Sequence, residues 1–353
     1  MSPINLAIVG VGKIVRDQHL PSIAKNSDFK LVATASRHGT VEGIESFTTI
    51  DAMLDAVPDI DAVSLCMPPQ YRYEAAHKAL SAGKHVFLEK PIAVTLAEAD
   101  ELIKLSRQKK VKFTIGYSQR FNAKYAYVRR CIRDGTIGKP VSALVSRHIT
   151  RGLGKKISGR IKLSPAAMES THDLDFLLWC LEPARPVRVY SQVNYGVMKE
   201  TSKSDIPDTQ WITVTLDSGL SFVVGGGWSL PLGYPNFSTT WIEMVGTEGA
   251  LLIDDSHRDV VLNTVKKGMQ LPMSTMPGEF VEHTYAGAMA PETVHFLEAV
   301  VYDRPVLVSA EHARMVMEVY IAADLSAERN AAVDIPCEKP RSASASRSSA
   351  RAA

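Results

Sequence analysis

The sequence predicts an α/β protein with two lobes: a doubly wound parallel sheet in the first third, then an α+β domain with an open, largely antiparallel sheet. Three observations carry this. Short apolar runs alternate with helix-like stretches up to about residue 120, a pair of glycines follows the first run directly, and beyond residue 120 the runs lengthen and are joined by tight turns. At 353 residues the chain exceeds what one compact core serves well, which agrees with two lobes.

Taken in order, "NLAIVG", "KLVATAS", "DAVSLCM", "HVFLEK" and "KFTIGY" read as short buried strands separated by crossover helices. One helix is specified in detail. Thr95 and Glu98 have capping-box spacing, Leu96, Ala99, Leu102 and Ile103 form its apolar stripe, and Lys109 and Lys110 suit its C-terminus. After residue 120, "VSALVSRHIT", "VRVYSQVNY", "WITVTLDSG", "LSFVVGGGW", "WIEMVGTEG" and "ALLIDD" read as longer strands, with turns at Asp217-Ser218-Gly219 and Gly246-Thr247-Glu248-Gly249. Two amphipathic helices close the body, with Pro291 and Ser309 as start signals. The expected divisions are 1–120, 121–336 and a disordered tail at 337–353, whose Ser/Ala/Arg composition has no apolar periodicity.

Composition narrows the function classes. No apolar stretch approaches the roughly 20 residues that cross a bilayer, and the N-terminus lacks a secretory pattern, so a cytoplasmic protein without a membrane partner is expected. The formal charge is +2, but Lys339, Arg341, Arg347 and Arg351 against Glu338 place a net +3 in the tail, which leaves −1 for the rest. Nucleic acid is therefore not an expected partner. Cys66, Cys131, Cys180 and Cys337 are far apart and form no C-x-x-C pair, which predicts reduced thiols and no metal site.

The chemistry begins at "AIVGVGKIVRDQH". Gly10 would permit the tight turn after the first strand and Gly12 would let the backbone approach a pyrophosphate, with Lys13 and Ile14 opening the helix whose N-terminus faces it. Val15 occupies the third glycine position. This context predicts a Rossmann dinucleotide site in 1–120. At the end of the second strand Ser36 replaces the acid that would repel a 2'-phosphate, and Arg37 and His38 add donors, so NADP is favoured, with NAD possible. Ligands in such sheets lie beyond the C-terminal strand edge, which gives Cys66, Pro68 and Glu89 as cofactor contacts. Lys90 at the same edge could touch the cofactor, hold a substrate hydroxyl and relay its proton, since burial lowers a lysine pKa.

The second catalytic candidate lies in "AAMESTHDLDFLLWCLE". Leu174, Leu177, Leu178 and Leu181 make an apolar stripe, while at about 100° per residue Met168, His172 and Asp175 share another face. Glu169 lies about 60° round from His172 by the same count. A histidine among carboxylates can accept a proton and be oriented.

The ordered motifs "GVGKI", "EKP", "GYSQRFN", "IGKPV", "THDLDFLLW", "GTEGAL" and "LSAERN" resemble the glucose-fructose oxidoreductase/inositol dehydrogenase (MocA-type) family over residues 4 to 335. Within it, the opening third resembles bacterial D-galactose 1-dehydrogenases. The resemblance implies that Lys90, His172 and Asp175 are catalytic and that Arg120, in "QRF", lies near the cofactor. This chain departs from the family pattern at Met168, where many members have aspartate, and in "MPPQYR", where Pro69 and Arg72 replace asparagine and histidine. Both departures bear on the substrate.

The resulting expectation is an NAD(P)-dependent dehydrogenase acting on a sugar, polyol or inositol-like hydroxyl without a metal. His172, assisted by Lys90 and oriented by Asp175, would take the hydroxyl proton as hydride leaves carbon. Glu169 on the His172 helix, together with Arg151, Arg160, Trp228 and Tyr234 in loop-like stretches, are candidate substrate contacts. Two alternatives use the same residues: a keto-sugar or aldehyde reductase using NADPH, and a non-catalytic sugar sensor that keeps the nucleotide fold. Retention of Lys90 with His172 favours an enzyme. A homodimer or homotetramer is expected, because open sheets in the resembled family pair face to face.

Overall fold

The computed structural model describes residues 3–24, 26–158, 163–234, 238–255, 262–270, 279–281 and 284–337. Strands β1 Ile4–Val9, β2 Phe29–Ala35, β3 Glu45–Phe47, β4 Ala62–Leu65, β5 His85–Glu89 and β6 Phe113–Gly116 form an all-parallel sheet in the order β3-β2-β1-β4-β5-β6. Five of these are the predicted runs; β3 has three residues and too little periodicity to be seen. The chain reverses its winding between β1 and β4, so the C-terminal ends of these two strands flank the crevice where such sheets bind ligands.

The crossovers are α1 Leu20–Ile23, α2 Ile50–Ala56, α3 Arg72–Ser81 and α4 Leu96–Lys109. The capping box of α4 forms in full, with the Thr95 hydroxyl accepting from Glu98 N and the Glu98 carboxylate accepting from Thr95 N. Lys110 ends this helix in a left-handed conformation. Its Ala99, Leu102 and Ile103 are buried, as the stripe requires.

After α5 Ala123–Arg133, strand β7 Pro140–Thr150 opens the second sheet. The chain continues through α6 Arg151–Ser158, α7 Thr171–Cys180, β8 Pro186–Asn194, α8 Val197–Ser202, β9 Thr209–Leu216, β10 Ser221–Leu230, β11 Ser238–Gly246 and β12 Ala250–Asp254. Short pairs β13 Leu262–Thr264 with β14 Gly268–Gln270 and β15 Glu279–Val281 with β16 Thr284–Ala286 follow, then α9 Met289–Val301, α10 Ala310–Arg329 and β17 Val333–Asp334. The seven-stranded order is β12-β11-β7-β10-β9-β8-β17, antiparallel except where β10 runs parallel to β7.

Ser309 caps α10 as predicted, its hydroxyl accepting from His312 N. Helix α9 starts earlier than predicted, at Met289, with Pro291 inside its first turn, where a missing N–H costs nothing. Phe296 and Leu297 of α9 pack with Leu6, Ile8, Val15 and Phe87 of the parallel sheet and its first helix, so this late helix completes the core of the first lobe. Cys337, placed with the tail by composition, is engaged by the body: its N–H donates to Glu318. Residues 338–353 of the predicted disordered tail lie outside the described residues, as does Arg160. No described helix is long and apolar enough to cross a membrane.

Candidate active site

Gly10 has φ +94°, and a Cβ there would stand 2.7 Å from the Cys66 carbonyl oxygen, so the β1 turn presses against the end of β4 and only glycine fits. Among the described residues, nothing lies within 4 Å of a Cβ built on Gly12. Ile14 beside it is half exposed, and Lys13 is exposed and paired with Asp17. A tight turn backed by Cys66 and an open approach over Gly12 fit a dinucleotide pyrophosphate. The helix behind this turn enters through a π-helical turn at Val15–His19. At the end of β2 the Ser36 hydroxyl accepts from His38 N at 3.3 Å, shaping the loop that carries Arg37.

Behind the turn lies a buried polar cluster. The Thr293 hydroxyl donates to the Met289 carbonyl, so at 2.9 Å it accepts from His19 Nδ1–H. His19 Nε2 stands 3.5 Å from Glu89 Oε1. Burial opposes the imidazolium, but Cys66 and Glu89 outweigh it and hold His19 well above the usual histidine range. Burial and then Glu89 push Glu292 well above the usual carboxylate range. A histidine raised in the folded state contributes stability that is complete below its unfolded pKa of about 6.5 and is lost as pH rises through the folded value. Melting temperature should therefore decline from about pH 6.5 upward, and His19→Gln should flatten that decline, measured by calorimetry across pH. A decline of equal slope in His19→Gln would assign the effect to other groups.

Lys90 follows β5 and is partly buried, and its ammonium donates to the carbonyl of Met168. That carbonyl belongs to a second π-helical turn, Ala166–Ser170, which leads into α7. Such turns alter the backbone hydrogen-bond ladder and recur at functional sites. Burial lowers the Lys90 pKa against the opposing pull of Glu169 and Glu89. Burial, then Lys90 and Arg147, hold His172 well below its ordinary range, so its imidazole is neutral. Among the described residues its Nδ1 is buried without a hydrogen-bond partner, and Tyr117 packs edge-on against the ring with centroids 5.9 Å apart. Burial raises Glu169 despite Lys90 and Arg147. Lys90, Glu169 and His172 thus meet at the C-terminal edge of the parallel sheet.

Several expectations are corrected. Asp175 does not orient His172: its oxygens accept from Arg120 Nε at 2.9 Å and Nη2 at 2.6 Å, with His312 Nε2 at 3.3 Å. Burial would raise Asp175, but the Arg120 guanidinium overrides it and lowers the carboxyl below its ordinary value. Arg120, expected near the cofactor, has its guanidinium engaged by the protein itself. It is buried, its Nη1 donates to the Leu307 carbonyl and its guanidinium lies over Trp179. Trp228 is fully buried in β10 with Met198 and Ile206, its indole N–H given to the Pro207 carbonyl, so it offers a substrate no polar atom. Arg151 begins α6 and donates to the Ser229 carbonyl. Tyr234 is partly buried in a turn. Among the described residues, no hydrogen bond or ion pair joins Pro68, Arg37 or Tyr234 to Lys90, Glu169 or His172.

Arg72 replaces the histidine of the resembled pattern and points inward. Its Nε donates to the Met67 carbonyl at 2.7 Å and its Nη1 to the Lys90 carbonyl, tying the loop after β4 to the loop that carries Lys90. Sequence reasoning missed Arg147, which binds Asp173 through Nε at 2.9 Å and Nη2 at 2.6 Å in full burial. A signal existed. In β7 Ala143, Val145, Arg147 and Ile149 alternate onto the buried face, and an arginine there demands an internal carboxylate.

Comparison with known proteins agrees with this fold. Residues 4–117 match the model "Oxidoreductase family, NAD-binding Rossmann fold" and residues 125–252 the GFO/IDH/MocA C-terminal domain. The chain is 44% identical over 104 residues to galactose 1-dehydrogenase of Pseudomonas fluorescens, covering 30% of this chain and 34% of that protein, so the match spans about a third of its length. A D-galactose-1-dehydrogenase structure from Rhizobium etli superposes with TM-score 0.68 at 33% identity, over 91% of this chain and 95% of that one. Scyllo-inositol dehydrogenase of Lactobacillus casei, solved with NAD(H) and scyllo-inositol, shares the fold with TM-score 0.79 at 22% identity, over 94% of this chain and 99% of that one.

Proposed function

The chain belongs to the GFO/IDH/MocA family of oxidoreductases, and from that premise we propose that it is a sugar or polyol dehydrogenase that prefers NADP. The observation that carries the reading is the Lys90 ammonium seated on the Met168 carbonyl, which joins the edge of the nucleotide-binding sheet to the helix of the neutral His172. A nicotinamide bound at this edge would supply the hydride acceptor.

The chain's own groups do the rest. Lys90, kept below its usual pKa by burial, hydrogen-bonds the reacting hydroxyl and steadies the developing alkoxide. His172, neutral and partly accessible on the side away from its buried Nδ1, takes the proton. Glu169 beside Lys90 offers an acceptor to a neighbouring hydroxyl of a polyol ring. Arg72 holds the Lys90 loop in place through backbone carbonyls. A homo-oligomer remains part of the reading, supported by the open sheet, which leaves Val187, Tyr190, Trp211 and Trp241 exposed; a cytoplasmic location rests on the sequence reading alone.

Ser36, Arg37 and His38 support NADP over NAD, since no carboxylate at the end of β2 opposes a 2'-phosphate. Ser36→Asp should reverse the preference, with the ratio of NADP to NAD affinity falling by about 100-fold or more, as expected for a like charge set against the phosphate. Fluorescence titration of NADPH and NADH against both proteins checks this. An unmodified protein that binds NADH more tightly contradicts the cofactor assignment.

A further inference from the structure

We infer that Arg16 is the second arm of a two-arginine clamp for the 2'-phosphate, opposite Arg37, and so a determinant of cofactor specificity. This rests on the NADP reading above. The observation is the packing of the loop after β2 on the helix that follows the glycine turn. A Cβ built on Gly39 would stand 2.7 Å from Arg16 Nη2 and 2.8 Å from the Val11 carbonyl oxygen, so only glycine lets the loop settle this closely. Arg16 Nη2 then donates to the Thr40 carbonyl at 3.1 Å.

Arg16 thus reaches from the first helix to the loop that bears Arg37 and His38, although 21 residues separate it from Arg37 in sequence. The contact engages one nitrogen of an exposed guanidinium. A guanidinium has five donors in a fixed fork, so pinning one nitrogen orients the rest of the fork beside the loop. Lys13, the nearest other cation on that turn, is paired with Asp17. Among the described residues, Ser36, Arg37, His38 and Arg16 surround the end of β2 without a carboxylate paired to either arginine. Phosphate monoesters are bound by such arginine pairs, each contributing charge-assisted hydrogen bonds.

The test uses two probes that differ only in the phosphate, adenosine 2',5'-bisphosphate and adenosine 5'-monophosphate, titrated by calorimetry against the full-length protein. In the unmodified protein the bisphosphate should bind at least tenfold more tightly. Arg16→Gln should reduce that ratio at least tenfold, Arg16→Lys should restore part of it, and Arg37→Gln should act similarly. If Arg16→Gln weakens both probes equally, Arg16 only props the loop through Thr40 and the inference fails. An unchanged ratio overturns it as well. If the unmodified protein binds the two probes equally, the NADP reading itself fails, which is distinguishable from failure of the clamp alone. Melting temperature of each variant separates a lost contact from a lost fold, and a folded Arg16→Lys keeps the test decisive if Arg16→Gln unfolds.

Discussion

Lys90→Met should lower turnover by about 10²- to 10⁴-fold, the usual contribution of a positioned proton-transfer group. Nucleotide affinity should change far less. Methionine keeps the aliphatic stem between the two lobes and removes the ammonium that sits on the Met168 carbonyl. Removing that ammonium also removes a charge that depresses the His172 pKa. The pH profile should therefore move as well as the rate. His172 must be neutral to accept a proton, so in the unmodified protein activity is lost only as pH falls through a value well below the ordinary 6.5 of histidine. In Lys90→Met that acid limb should lie at higher pH. Replacing His172 as well should add little further loss, because the two groups act on one hydroxyl. Full turnover in Lys90→Met, with a confirmed substrate and intact nucleotide binding, would return this lysine to a packing role.

The largest effect on stability should come from Arg147. Its guanidinium and the Asp173 carboxylate are buried against each other, and Tyr125 also bonds to the arginine. Burial raises the Asp173 carboxyl, although Arg147 opposes the shift. Removing one partner of a buried ion pair costs about 3–5 kcal/mol, because the other charge stays buried and unpaired. Arg147→Met should therefore destabilise by about that much in chemical denaturation. Arg147→Met with Asp173→Leu should recover a large part, since a well-packed apolar pair of similar volume serves as well. If the double variant is no more stable than the single one, the cost lies in packing and not in the abandoned charge. A second readout belongs to the site. Arg147 lowers the His172 pKa, so in a folded Arg147→Met the acid limb of activity should also move to higher pH.

Much of the fold was legible because its signals are local. The capping box at Thr95 and Glu98, the Ser309 cap and the glycine turn at Gly10 each depend on residues a few positions apart, and each formed as read. The alternation of short runs and helices implied a parallel sheet, although strand order depends on contacts no local pattern carries. The site was legible in part. Lys90 and His172 lie where a strand end and a polar helix start should put them.

The partners were not legible, because buried charges are satisfied at long range. Arg120 lies 55 residues from Asp175, and His312 comes from α10. Asp175 turns away from His172, contrary to the helical-wheel expectation, for two physical reasons. A π-helical turn at Ala166–Ser170 breaks the regular rotation ahead of His172, and α7 is buried nearly all round, so a polar face there points at internal partners. A helix reading Thr-His-Asp-Leu-Asp-Phe that is also core must find cations elsewhere in the chain, and Arg120 and Arg147 are those cations.

The role proposed for Lys90 and His172 is to serve hydride transfer between a hydroxyl carbon and a nicotinamide. Its most direct measurement is the absorbance of the reduced cofactor when purified protein meets a panel of aldoses, inositols and sugar acids with NADP and with NAD. Reduction is expected with at least one polyhydroxy compound, faster with NADP, and that signal should be lost in Lys90→Met. A protein that binds the nucleotide but neither reduces it with any member of the panel nor oxidises the reduced form with the matching keto-sugars and aldehydes would contradict it and leave a sugar sensor as the reading.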